Sequence, residues 1–76
     1  VNPYELHSTL MKPGSKGASV KWLQWELNQR GANLKIDGVY GNLTKLSVIL
    51  YQKDHGLIQD GICGIKTITS IKNDKK

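Results

Sequence analysis

The 76-residue chain has one cysteine, two prolines and no phenylalanine, and each shortage removes a class of protein. A single thiol, Cys63, forms no internal disulfide, so a stapled scaffold is excluded. The longest apolar run is Val48-Ile49-Leu50-Tyr51, far short of the roughly 20 residues that cross a bilayer. No leader signature stands at the N-terminus, and a cytosolic protein or a module of a larger exported one is expected. His7, His55 and Cys63 lie in no recognised zinc spacing. Cys63 and His55 also lack an orienting third group and oxyanion donors, so neither catalysis nor a metal or other cofactor is expected. Acidic residues are scarce as well, six against eleven Lys and Arg, for a net charge of +5. That balance favours anionic surroundings such as nucleic acid, membranes or wall polymers. The cations are nevertheless scattered, and only Lys72 to Lys76 cluster, interrupted by Asp74. The plain reading is a solvated basic surface. The length leaves room for one domain with one modest core, and none for a deep pocket with independent walls.

What the chain does contain is a phrase written twice. Residues Asp37 to Thr44 read DGVYGNLT and residues Asp60 to Thr67 read DGICGIKT, both Asp-Gly-x-x-Gly-x-x-Thr. The echo runs further back: Leu23-Gln24, Gly31 and Leu34 before the first copy match Tyr51-Gln52, Gly56 and Leu57 before the second. Each half is an apolar-Gln pair on a helix, a glycine stop, a leucine, and the phrase opening the next helix. The first connecting loop is five residues longer and carries the larger surface side chains.

Three helices follow from the pattern. Ser19 is placed to cap the first, SVKWLQWELNQRG, on which Val20, Leu23 and Leu27 share a face and which Gly31 closes. The second, NLTKLSVILYQKDHG, has two apolar stripes, Thr44-Ser47-Val48-Tyr51 and Leu46-Ile49-Leu50, so it is central or carries an outer contact surface. The third, GIKTITSIKN, is short and β-branched, with Ile65, Ile68 and Ile71 directed inward and packing required to hold it. The expected fold is an all-α, small three-helix bundle over residues 10–72. Residues 1–9 are read as a linker arm and 73–76 as a disordered tail.

Within the phrase, Asp accepts from backbone N–H groups ahead of it and Gly takes φ > 0 without steric cost. The threonine lies in the first helical turn, where its hydroxyl reaches back into the loop. Gln24 and Gln52 carry amides able to satisfy loop groups left unpaired. These roles are structural: two helix-to-helix crossings need two similar turns. The free positions differ, with Val39, Tyr40, Asn42 and Leu43 in the first copy and Ile62, Cys63, Ile65 and Lys66 in the second. Tyr40 and Asn42 offer an aromatic face and an amide suited to a sugar or peptide, although a loop-anchoring tyrosine is an equal reading. The second copy looks like a packed turn.

The lead-in LMKPGSKGASVKWLQWELNQRG, the loop IDGVYGNLT, the helix SVILYQKDHGL and the closing DGICGIKT closely resemble the type 1 peptidoglycan-binding domain. That family is a three-helix module attached to bacterial and phage cell-wall hydrolases, and the resemblance spans roughly Leu10 to Ile71. The opening NPY and VKWLQWELN are similar to endolysin-type proteins of low-GC Gram-positive bacteria and their phages. The resemblance implies a non-catalytic module that holds an attached amidase, peptidase or muramidase against the wall. Its implied partners are peptidoglycan, by glycan strand or stem peptide, and a covalently linked catalytic domain. A monomer with no nucleic-acid or membrane partner is implied, extracellular or wall-bound, or released at lysis from a phage. The ligand groove beside the loops then involves Asp37, Gly38, Tyr40, Gly41, Asn42 and Thr44, with Asp60 and Gly61. Cys63, Ile65 and the greasy Leu46-Ile49-Leu50 stripe depart from that pattern. Two other readings remain. A helix-turn-helix suits three helices at +5, but IKTITSIKN offers few base-reading side chains and Asp60 to Gly64 is not the short turn required. A docking or pro-domain-like module shares this fold, but Cys63 lacks the context of an inhibitory cysteine.

Overall fold

The computed structural model describes residues 1–74. Three helices, α1 (Ala18–Asn28), α2 (Asn42–Asp54) and α3 (Ile65–Asn73), build an all-α bundle. Helix α1 buries Val20, Leu23 and Leu27, adding Trp22 and Gln24. The chain then turns at Gly31 (φ 100°), with the Leu27 carbonyl accepting from both Arg30 and Ala32 N–H. A left-handed glycine closing the last carbonyls is the expected helix stop. The start differs from expectation. Gly17, not Ser19, precedes the first turn. Ser19 is inside the helix and buried, and its Oγ accepts from His7 N–H at 2.8 Å. The hydroxyl therefore secures the preceding segment instead of a first-turn N–H.

That segment is part of the folded domain. The Asn2 amide donates to the Trp22 carbonyl and to Glu26 Oε2, each at 3.0 Å, and Tyr4 and Leu6 pack against the core. Further along, Met11 and Cys63 exchange backbone hydrogen bonds at 2.9 and 2.8 Å. Gly14 and Gly17 donate to Tyr40 and Gly38, and Tyr40 N–H donates to Ser15. Residues 1–9, read as a linker arm, thus lie along α1, and residues 11–17 bind both copies of the repeated phrase.

The core gathers Met11, Val20, Leu23, Leu27, Tyr40, Val48, Tyr51, Cys63, Ile68 and Ile71, with Trp22 at its edge. Each aliphatic or methionine side chain among them contributes about 1.5–3 kcal/mol by leaving water. On α2, Thr44, Val48, Tyr51 and Gln52 face inward, while Leu43, Leu46 and Leu50 stay exposed. Ile65 does not point inward as expected; it is 57% exposed. Steps of three residues fall about 60° short of a full turn, so Ile65 rotates off the face that Ile68 and Ile71 share. Asp74 is also held in place, not frayed: Arg30 Nε donates to its carboxylate and Arg30 Nη2 to its carbonyl, both at 2.9 Å. Lys75 and Lys76, the rest of the expected tail, lie outside the described residues.

Candidate functional site

Each copy of the phrase is organised by the glutamine of the preceding helix. Gln24 Oε1 accepts the Gly38 N–H at 3.0 Å. Its amide nitrogen donates toward the Val39 carbonyl at 3.0 Å, Asp37 Oδ1 at 3.1 Å and Thr44 Oγ1 at 3.1 Å. Gln52 repeats the pattern on the second copy. Its Oε1 accepts Gly61 N–H at 3.0 Å, and its nitrogen reaches Asp60 and Ile62 at 3.0 Å and Thr67 at 3.2 Å. Both glutamines are 1% exposed, so these bonds replace water that cannot enter. The carboxylates close the turns: Asp37 Oδ1 accepts Val39 N–H and Asp60 Oδ1 accepts Ile62 N–H, each at 2.9 Å. Those backbone bonds, with the glutamine amides, hold both carboxyls below the usual carboxylate range.

The glycines carry the sharp backbone. Gly38 and Gly61 have φ of 74° and 71°, which L side chains rarely adopt. A Cβ on Gly61 would also sit 2.9 Å from Lys45 Cγ. Gly41 and Gly64 are extended and open α2 and α3 with no side-chain cap and no acid in the first turn. The first N–H groups of these helices are therefore left without a helical partner.

The structure brings Asp37, Gly38, Gly41, Asn42 and Thr44 together around α2's start, but gives them unlike surfaces. Asp37, Gly41 and Asn42 are exposed, whereas Gly38 and Thr44 are buried in the glutamine network. Tyr40 corrects the sequence reading. It is 1% exposed, and its hydroxyl donates to the Gly61 carbonyl at 2.7 Å, so its ring offers no face to a ligand. Burial pushes its phenol pKa up. The side chain instead bolts the first copy to the second. Asp60 is exposed and Gly61 buried in the second turn.

Two shallow grooves result, related by the repeat. The first, of about 230 Å³, is lined by Leu34, Lys35, Val39, Asn42 and Leu43 beside the Gln24 network. The second, of about 360 Å³, is lined by Leu10, Leu57, Ile58, Ile62, Ile65 and Lys66 beside the Gln52 network. Lys35, two residues before the phrase, escaped the sequence reading, and Leu43 was read as a free position of the phrase without a ligand role. Leu10, Ile58 and Ile65 escaped it because a packed turn was expected where the second, more apolar groove lies.

Residues 16–71 match a family model described as "Putative peptidoglycan binding domain". The chain belongs to this family. It is 39% identical over 67 residues to the zinc D-Ala-D-Ala carboxypeptidase of Streptomyces albus G, across 84% of this domain and 26% of that protein. The Burkholderia AP3 phage endolysin superposes with a TM-score of 0.85 at 38% identity, over 91% of this domain and 26% of the endolysin. The SleB N-terminal domain superposes at 0.84 with 30% identity, over 90% of this domain and 94% of that chain. The peptidoglycan-binding domain thus spans about a quarter of the carboxypeptidase and the endolysin, and nearly all of the SleB domain.

Proposed function

We propose that this chain is the non-catalytic wall-anchoring part of a larger peptidoglycan hydrolase, acting as a monomer at the cell wall. The observation that carries this reading is the family match over residues 16–71, in a chain similar to an endolysin and a D-Ala-D-Ala carboxypeptidase. We place the contact in the first groove. There the Asn42 amide both donates and accepts, Lys35 supplies a cation, and α2 begins with uncapped N–H groups. That donor-rich set suits the amides and carboxylates of a stem peptide better than a neutral glycan strand. Asp37, Gly38, Gly41 and Thr44 shape the groove, and Asp60 and Gly61 shape its counterpart. The attached enzyme, an amidase, peptidase or muramidase, then works at raised effective concentration, so weak intrinsic affinity suffices. Cosedimentation with purified sacculi tests the reading. Asn42→Ala and Lys35→Ala should weaken retention in a folded protein, and Lys66→Ala should do much less. Release by Lys66→Ala alone would move the site to the second groove.

A further inference from the structure

The lysines that read as scattered along the sequence are gathered by the fold. The two turns and residues 11–17 make one end of the domain, joined by the Tyr40 hydroxyl on the Gly61 carbonyl at 2.7 Å and by the backbone bonds of Met11, Gly14 and Gly17. Lys12 and Lys16 stand on that segment, and Lys16 is bridged through its backbone to Val39. Lys35 lines the first groove and Lys66 the second. The stems of Lys21 and Lys45 lie across the turn glycines, with Cε 3.2 Å and 3.0 Å from where a Cβ on Gly38 and Gly61 would sit. Six ammoniums thus share this end with three carboxylates: Asp37 and Asp60, bonded within their turns, and Glu5, 3.4 Å from a His7 that neighbours Lys16. The opposite end is balanced. There Arg30, Lys53 and Lys72 stand against Glu26, Asp54 and Asp74 at the closes of the three helices. Among the described residues no lysine makes an ion pair, and only Lys21 has an aromatic partner, its Nζ 6.0 Å from the Tyr4 ring centre. The excess positive charge of the described residues therefore sits at the turn end, where self-repulsion opposes folding and the fold makes no other use of the ammoniums.

We propose that this end binds the phosphodiester backbone of an anionic polymer in the cell wall, alongside the peptide contact in the first groove. The source of the polymer rests on the wall-binding reading above. Several ammonium–phosphate contacts give a salt-sensitive affinity without a shaped pocket. The stems of Lys21 and Lys45, already laid against the turns, lose less freedom on binding than free lysines do. Nucleic acid carries the same backbone, but its bases call for aromatic platforms. At this end Tyr40 is buried and Tyr4 is half-buried under Lys21. The surface therefore suits a chain of polyol phosphates, which has no bases to stack.

The test is an NMR titration of the ¹⁵N-labelled chain with poly(glycerol phosphate). Saturable shifts centred on Lys16, Lys21 and Lys45 are expected, with affinity falling about tenfold or more for an about fourfold rise in salt, as for about three phosphates met; no saturable shift overturns the proposal. Lys16→Gln with Lys45→Gln, both at exposed positions, should lower affinity about three- to tenfold. Lys53→Gln with Lys72→Gln removes the same charge from the other end and, at about 0.15 M salt, should change it less than about twofold. Equal losses would show a response to net charge alone and overturn the assignment to this end. An oligothymidylate of equal phosphate number that binds more than about tenfold tighter, the margin one stacked base supplies, would overturn the wall polymer in favour of nucleic acid. Intact sacculi should retain the Lys16–Lys45 double variant less than the unaltered domain; equal retention overturns the source. Sacculi stripped of phosphodiester polymers with hydrofluoric acid separate the two readings. On them the double variant should bind as the unaltered domain does while Asn42→Ala still lowers retention, so failure of the first-groove site does not imitate failure of this one.

Discussion

Replacing Gln52 with alanine tests the physical centre of the fold. The side chain is 1% exposed, accepts the Gly61 N–H, and donates toward Asp60, the Ile62 carbonyl and Thr67. Truncation strands the Gly61 N–H in a buried turn and removes the donor that serves the other three acceptors. One stranded buried polar group costs about 1–3 kcal/mol, and the emptied volume adds a cavity penalty. A loss of about 3–5 kcal/mol is expected. A domain of this size holds about 4–11 kcal/mol in total, so the melting temperature should fall by at least about 15 °C. Helical circular dichroism followed through urea and heat measures the loss. Gln24→Ala removes the matching network and should cost a similar amount. A loss below about 1 kcal/mol for Gln52→Ala would refute the view that the amide holds the second turn.

Three further outcomes follow from the same geometry. Asp37, Asp60 and Asp74 have folded pKa values below their ordinary ones, the first two chiefly through backbone N–H bonds and Asp74 chiefly through Arg30. Their stabilisation is complete above about pH 4 and is lost as pH falls through the lowered values; urea midpoints that stay level from pH 5 down to pH 2 would contradict this. Burial pushes the Cys63 thiol up to about 12, so Ellman's reagent at pH 8 should label it only on unfolding, and rapid labelling of the native domain would oppose that. Tyr40→Phe deletes the bond to the Gly61 carbonyl and should cost about 1–2 kcal/mol with sacculus retention unchanged; lost retention in a stable variant would restore the tyrosine as a ligand contact.

The repeat made much of this fold legible in the sequence. The Asp-Gly turns, the glycine stop at Gly31 and the starts of α2 and α3 each rest on local chemistry, and the structure places them where that chemistry requires. The glutamines were readable too, because a buried amide at the same place before each turn has few other uses. What stayed hidden depends on long-range contact. Tyr40 reads equally as a ligand-facing aromatic or a loop anchor until the second turn presents the Gly61 carbonyl to its hydroxyl. Ser19 is a competent cap by composition, but His7 N–H reaches its hydroxyl first. Residues 1–9 have no period, and it takes the contacts of Asn2, Tyr4, Leu6 and His7 with α1 and the core to show that they pack on the domain. Asn42 was legible as an exposed amide beside the first turn. Lys35 was not, because a lone loop lysine resembles every other surface cation until the groove gathers it.

The most direct measurement is an amide shift map of the ¹⁵N-labelled domain titrated with a soluble disaccharide-peptide released from sacculi. Saturable shifts centred on Lys35, Asn42 and Leu43 are the predicted result. Shifts confined to Ile58, Ile65 and Lys66 would put the ligand on the second turn, and no saturable shift anywhere would contradict peptidoglycan binding by this domain.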